Sequence, residues 1–317
     1  MPTRKATSFF GQIYMINSLS RLSINSSTDE EVQLMNSFSF EPKENASFFP
    51  PVSMQLWNSV HHIFYKTINL QQREALDLFT EISQLVPGLT RTTFQTNSNF
   101  VLANQLSQSI MFPNPIPRIK LAHLICGYVQ LMLRKYQLPN FVEVELDDIV
   151  IDCGSFVGGF TMGVPSISRV VHSFEPEPKN FACLLGNTKQ SENCVGHIRG
   201  LGDKTETKKL NLSASAVEHS YLKPDANSLD LTIDTSVIRL DDFCKEQSLP
   251  KIDFLKLEAE GFEVEVLAGL GSIKPRKIAI DVSPERDGES PAPTIIKQLS
   301  SQYQIRQRGN VLFARIF

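Results

Sequence analysis

A chain of 317 residues has room for one large domain with an extension, or for two domains. Hydrophobic content of 41%, charged content of 21% and a net charge of −3 describe an ordinary globular protein; they argue against bulk phosphate binding and give no pull toward nucleic acid. The five cysteines, Cys126, Cys153, Cys183, Cys194 and Cys244, are odd in number and lack CxxC spacing, which predicts a reducing, cytoplasmic setting and neither a disulfide framework nor a zinc site.

Residues 1–51 are rich in Ser and Asn, with Glu41-Pro42 and Phe49-Pro50-Pro51 as breakers. Arg4 and Lys5 are not followed by an uninterrupted apolar core, so no secretory signal is expected, and the glycosylation patterns at Asn25 and Asn45 read as chance matches. The segment reads as loosely ordered, tacked onto the body by Phe38, Phe40, Phe48 and Phe49. Residues 52–117 read as a helical extension. Leu56, Val60, Ile63 and Phe64, then Leu76, Phe79, Ile82 and Leu85, recur at helical spacing, and Pro87-Gly88 ends the pattern. His61 and His62 read as a partly buried and a solvated histidine. Residues 90–112 predict one more short helix, and the proline cluster at 113–117 is the candidate boundary before a catalytic domain at 118–317. Residues 121–136 form the next predicted helix. It is apolar nearly all round, hence buried, and its uncharged centre of roughly thirteen residues falls short of the ~20 that a membrane span needs. Residues 141–146 alternate with period two and predict a strand leading into the first strand of the sheet.

The rest of the chain is organised around the sequence DDIVIDCGSFVGGFTM at 147–162. Ile149-Val150-Ile151 suits a buried strand, Asp152 its tip, and Gly154, Gly158 and Gly159 a turn where backbone can approach a ligand. The turn has Phe156 where a dinucleotide fingerprint wants its second glycine, and it has no Gly-Lys-Ser/Thr ending, so no pyrophosphate cradle is indicated. An acid just before the first glycine suits a cofactor carrying a cation. Glu175 ends the next apolar segment, roughly 20 residues after Gly154, where a nucleotide fold places its ribose-hydroxyl acceptor.

Further strands are predicted at 197–201, 208–212, 229–240, 252–257 and 277–282, with a polar loop at 213–227 and a short helix from Asp241. A terminal hairpin, 304–308 and 311–316, turns at Gly309-Asn310. Alternating strands and helices with an antiparallel end make a doubly wound α/β sheet. Ligands of such sheets bind at the carboxyl ends of the strands, where Asp152, Glu175, Asp203, Glu258 and Asp281 converge.

Five motifs, DCGSFVGGF, SFEPEPKNF, RGLGDKTE, VIRLDDFC and IDFLKLEAEGFEVEVLAGL, occur in that order, and over residues 142–317 the chain resembles the FkbM-type methyltransferases. That resemblance implies an α/β, Rossmann-like class I methyltransferase sheet with a C-terminal antiparallel hairpin, plus the helical N-terminal extension. It implies S-adenosylmethionine as cofactor and O-methylation of a sugar, glycan or other hydroxylated small molecule. The expected cofactor contacts are Asp152, Gly154, Ser155, Phe156, Val157 and Gly158 in the turn, Glu175 and Pro176 after the second strand, and Gly202 and Asp203 after the third. The expected catalytic residues are Glu258, as base or holder of a divalent cation, Glu260, which alternatively caps the next helix, and Lys256, on the same strand face as Glu258 and so its ion-pair partner.

The chain departs from the family pattern at four places: Glu258 for Asp, Gly-Ser-Phe-Val-Gly for Gly-Ala-Asn-x-Gly, Pro165 within the expected post-loop helix, and Asp281 for Glu. These departures leave a second reading, a cofactor-binding module without turnover. A third, a nucleotide-sugar or NAD-dependent oxidoreductase, is disfavoured by Phe156 and by the lack of a Tyr-x-x-x-Lys pair. Acceptor specificity is expected in the N-terminal helices and the 213–227 loop.

Overall fold

The computed structural model describes residues 52–66, 69–223, 227–286 and 288–317. The expectations for residues 1–51 lie outside the described residues. The two helical patterns become α1 (Met54–Lys66) and α2 (Gln72–Leu85), burying Val60 and Phe64, then Leu76, Phe79 and Ile82. Residues 90–112 form no helix. They are a three-stranded antiparallel sheet, β1 (Thr92–Thr96), β2 (Phe100–Gln105) and β3 (Ser109–Pro113). Thr92, Thr93, Thr96, Val101 and Ile110 favour extended backbone, and Asn97 makes the first turn by accepting the N–H groups of Asn99 and Phe100 at 2.8 Å each.

The predicted helix at 121–136 is two, α3 (Arg118–Ile125) and α4 (Tyr128–Tyr136), broken where Gly127 takes φ +92°. The alternating segment at 141–146 is not a strand. Val142 and Val144 are buried, but the Val144 and Glu145 N–H groups go to the side chains of Gln137 and Asp148 (2.8 Å each) instead of a neighbouring strand.

β4 (Ile149–Cys153) is buried at every position. After it come β5 (Val170–Phe174), α5 (Pro178–Thr188) and β6 (Cys194–His197), then β7 (Gly200–Leu201), β8 (Glu206–Ser213) and β9 (Ser228–Ile238). The chain closes with α6 (Leu240–Glu246), β10 (Phe254–Leu257), α7 (Glu263–Ala268), β11 (Lys277–Asp281), α8 (Ala292–Leu299), β12 (Tyr303–Arg308) and β13 (Val311–Ile316). The main sheet has the order β6-β5-β4-β10-β11-β13-β12, parallel except at β13, which runs against both neighbours. This is the expected class I methyltransferase sheet with its C-terminal hairpin. The third sheet strand comes earlier than predicted, at β6, because β7 leaves the sheet and pairs with β9, which also carries β8. Between β4 and β5 only a 3-10 turn, Thr161–Gly163, stands where a helix would succeed the glycine turn; Pro165 comes two residues later.

The N-terminal layer shares a core with the sheet domain. Val60, Phe79, Phe112 and Leu121 belong to the same apolar cluster as Val157 of the glycine turn and Cys183 of α5. Asn187 ties the layers by polar bonds, accepting the Met111 N–H at 2.7 Å and donating to the carbonyls of Met111 (2.9 Å) and Val157 (2.8 Å).

Candidate active site

The carboxyl ends of β4, β5 and β10 open into a cleft of about 870 Å³, counting its solvent-open part. Its floor is the glycine turn. Gly154 takes φ +69°, and a Cβ there would collide with the Glu258 carbonyl oxygen, so the turn lies pressed against the tip of β10. Phe156 is left-handed too (φ +51°), an unusual state for a bulky residue. Its N–H donates to Glu175 Oε2 at 2.9 Å, and its ring packs 6.1 Å from Phe112. Glu175 Oε1 accepts the Glu177 N–H, also at 2.9 Å. Burial pushes the Glu175 carboxyl up to about 8 against the pull of those two amides, so near neutrality it can both donate and accept.

Beside Glu175, Asn180 Nδ2 donates to the Ala216 carbonyl at 2.9 Å, while its Oδ1 is buried with no partner among the described residues. A carboxyl with lone pairs to spare and an orphaned amide oxygen in one corner fit the hydroxyls and amino groups of a nucleoside. Gly200 and Leu201 continue this wall. A Cβ at Gly200 would clash with the Tyr221 hydroxyl, which is bonded to Thr235 Oγ1 at 2.8 Å. The polar 213–227 loop brings Ala216, Val217, His219 and Tyr221 to the cleft.

The other end of the cleft holds an ion cluster. Lys256, only 2% exposed, places Nζ 3.1 Å from Asp152 Oδ1 and 3.4 Å from Glu258 Oε2, and donates to the carbonyls of Cys153 (3.2 Å) and Gly154 (2.7 Å). Lys135, from α4, lies 2.6 Å from Glu258 Oε1 and 2.7 Å from Asp281 Oδ2. Burial alone would raise the Glu258 carboxyl, but Lys135, Lys256 and Lys120 outweigh it and hold Glu258 well below the usual carboxylate range. The expected base is therefore a carboxylate held ionised by two ammonium groups, a poor proton acceptor and a good anchor. Lys256 is that anchor's buried partner, as its strand position predicted.

Asp152 is not part of the cleft lining. It is fully buried, with Oδ2 accepting from Thr161 Oγ1 at 2.6 Å and Oδ1 facing Lys256. Glu260 lines the cleft at φ +50° but caps no helix. Glu263 does that local work, accepting the N–H groups of Ala259 (2.7 Å) and Gly261 (3.3 Å). Burial, then Glu285 and Glu258, push the Glu260 carboxyl well above its ordinary value; burial likewise lifts Glu263 to about 7 and Glu285 to about 9.

Of the expected cofactor contacts, Gly154, Ser155, Phe156, Glu175 and Pro176 line the cleft. Val157 is buried in the shared core, and Gly158 packs against Leu184. Gly202 and Asp203 are not part of the lining. Gly202 packs beneath Val237 and Phe262, and the Asp203 carbonyl accepts from Arg239 at 2.9 Å, because the chain reaches the cleft two residues earlier at Gly200. Sequence reasoning missed Lys120, Tyr128, Lys135 and Tyr136, which all line or border the cleft from α3 and α4. A signal was present: lysines flanking a segment that is apolar nearly all round need partners when that segment is buried.

Residues 152–309 match the family model of the methyltransferase FkbM domain. The chain is 27% identical over 188 residues to the 31-O-demethyl-FK506 methyltransferase FkbM of Streptomyces tacrolimicus, covering 47% of this chain and 71% of that protein. It is 28% identical over 128 residues to the hexuronic acid methyltransferase AglP of Haloferax volcanii, covering 40% of this chain and about half, 52%, of that protein. Among solved structures, magnesium protoporphyrin IX methyltransferase from Synechocystis PCC 6803 aligns with a TM-score of 0.36 at 12% identity, over 63% of this chain and 81% of that one, a likeness too loose to inform the site. With its sheet order, its glycine turn and the matched domain together, the chain belongs to the FkbM-type S-adenosylmethionine-dependent methyltransferases.

Proposed function

We propose that the protein transfers a methyl group from S-adenosylmethionine to a hydroxyl of a sugar, a glycan or another hydroxylated small molecule. The observation that carries this reading is one continuous cleft joining the Gly154–Glu175 corner to the lysine–carboxylate cluster at Glu258, walled by both the N-terminal layer and the 213–227 loop. The names of the two relatives, an FK506 O-demethyl methyltransferase and a hexuronic acid methyltransferase, support such an acceptor.

The cofactor supplies a methyl group made electrophilic by its sulfonium. Glu175 and Asn180 would hold the nucleoside hydroxyls and amino groups, with Gly154, Ser155, Phe156 and Pro176 as the backbone and apolar floor. Lys256 and Glu258 fix the tip of β10 against the turn, which would keep the cleft wall rigid around acceptor and cofactor; positioning of this kind contributes several powers of ten in rate. Glu260, neutral in its acidic neighbourhood, is suited to donate a hydrogen bond to the acceptor. The five free cysteines fit a reducing compartment such as the cytoplasm.

The test is a panel of methyl hexosides and methyl hexuronides incubated with the protein and S-adenosylmethionine, with product methyl groups located by NMR. A methyl ether is the expected product. A methyl ester or methylamine would overturn the O-methylation reading. S-adenosylhomocysteine binding with no product from any acceptor would favour the binding module without turnover.

A further inference from the structure

Three lysines line or border the cleft, and they are not equivalent. Lys256 is neutralised by Asp152 and Glu258, and Lys135 by Glu258 and Asp281. Lys120 lines the cleft from α3 and has no carboxylate within 4.0 Å among the described residues. Its Nζ lies 5.8 Å from the centre of the Tyr128 ring and 5.6 Å from that of Phe156, the residue at the bend of the glycine turn. At those distances, near the outer limit of about 6 Å for a cation over a ring, the aromatic faces do little to hold a charge.

We propose that Lys120, contributed by the N-terminal layer and lying outside the matched methyltransferase domain, is the base that takes the proton of the acceptor hydroxyl. The proposal rests on the O-methylation reading. In the step, a lone pair of the acceptor oxygen forms the new O–CH₃ bond as the S–CH₃ bond breaks, its electron pair staying on sulfur. The hydroxyl proton passes to Lys120 Nζ, which releases it to solvent after the product leaves.

The surroundings shift Lys120 toward the uncharged amine. Burial lowers Lys120 to about 8; the Glu258 carboxylate raises it, while Lys135 and Lys256 lower it. On its own helix, burial keeps His123 well below its ordinary value, hence neutral, and on α4 burial pushes the Tyr128 hydroxyl far up, so neither offers a counter-charge. A sulfonium in the same cleft would add another positive charge and favour the free amine further. The alternatives are weaker bases: Glu258 is held ionised by two ammonium groups, and the Tyr128 and Tyr136 phenols keep their protons.

The experiment uses the full chain saturated with S-adenosylhomocysteine. Trace acetylation with acetic anhydride from pH 6 to 10, mapped by peptide mass spectrometry, should show Lys120 becoming reactive with a midpoint at or below about 8; a Lys120 midpoint near 10 would overturn the proposal. Lys120→Met and Lys120→Arg should bind S-adenosylhomocysteine as the wild type does, which reports folding, while both lose ~10²–10⁴-fold in methyl-ether formation on the glycoside that the wild type methylates. The wild-type rise of turnover with pH should vanish in both. Activity retained by Lys120→Arg would mean that charge and not basicity matters, and activity retained by Lys120→Met would mean that neither does; each sinks the base. A wild type that forms no ether from any acceptor sinks the O-methylation reading and the base with it, an outcome distinct from ether formed equally well by the variants.

Discussion

The two ends of the main sheet carry similar charged groups in different states of completion. At the amino ends, Lys277 is 1% exposed and lies 2.7 Å from Asp148. Arg276 reaches Glu145 and Asp148 at 2.6 Å each and Asp253 at 3.5 Å, and Lys251 reaches Asp253 at 2.8 Å. Asp253 Oδ2 also accepts the Ile149 N–H at 3.0 Å, stitching β4 to β10. In this cluster each of these cations faces an acid, and the acids take up the nearby amides. At the carboxyl ends the Lys256–Asp152–Glu258–Lys135–Asp281 chain is joined by an unmatched Lys120, an orphaned Asn180 oxygen and four raised acids, Glu175, Glu260, Glu263 and Glu285. A saturated cluster can only hold strands together. Leftover donor, acceptor and proton-binding capacity is what a ligand can use, and it lies at the end where parallel sheets bind their ligands.

Removing one buried cation at each end separates the two most strongly. Lys277→Met and Lys256→Met should each destabilise the fold by about 3–5 kcal/mol, measured by urea unfolding, because each leaves buried carboxylates short of a partner. Only Lys256→Met should also abolish turnover in the protein that remains folded. If Lys277→Met lost turnover to the same extent, the amino-end cluster would not be purely structural.

Proton linkage separates the ends with a smaller effect. Glu175 and Glu263 are raised by burial to about 8 and about 7, so between their unfolded values and those values the folded chain keeps protons that the unfolded chain releases. Stability from this end therefore falls as pH rises from about 5 to 8, by at most ~1.4 kcal/mol per pH unit for each group. The amino end has the opposite sign. The Arg276 hydrogen bond lowers Glu145, and Lys251 and the Ile149 amide lower Asp253 against burial, so this end loses stability as pH falls below about 4. The cofactor-free protein should have its highest Tm near pH 5, roughly between these windows, and Glu175→Gln should flatten the fall above it. A Tm that climbs from pH 5 to 8 would contradict the buried, protonated state of Glu175.

Glu175→Ala should weaken S-adenosylhomocysteine by about 1–3 kcal/mol in calorimetry, with little change in urea stability, since the two amides it frees border an open cleft. Unchanged affinity would remove Glu175 from the cofactor corner. The smallest effect belongs to Lys251→Ala. Its side chain is 61% exposed and Asp253 keeps Arg276 and the Ile149 amide, so the cost should be about 0–1 kcal/mol. A larger loss would mean that the amino-end cluster has less redundancy than its geometry suggests.

Much of this arrangement is legible in the sequence because its signals are local. The apolar run at 149–151 made a strand, Gly154 and Gly158 took the positive φ values that a tight turn needs, and the Gly309-Asn310 hairpin folded back as its alternation predicts. Glu175 lines the cleft because strand-end spacing is set by the βαβ repeat itself. Tertiary structure decided the rest. Whether residues 90–112 became helix or sheet depended on the α2 and α5 surfaces they pack on, and residues 141–146 had no neighbouring strand to pair with, whatever their alternation. Asp152 and Glu258 read alike in sequence, as acids at strand tips. One is sealed beneath the turn, and the other is clamped by Lys135, which comes from a helix more than a hundred residues earlier. The charge state of a carboxylate or an amine is fixed by which groups surround it and how far water is excluded, and residues distant in sequence supply both. That is why the sequence placed the acids of this site, and only the fold brought Lys120 to it.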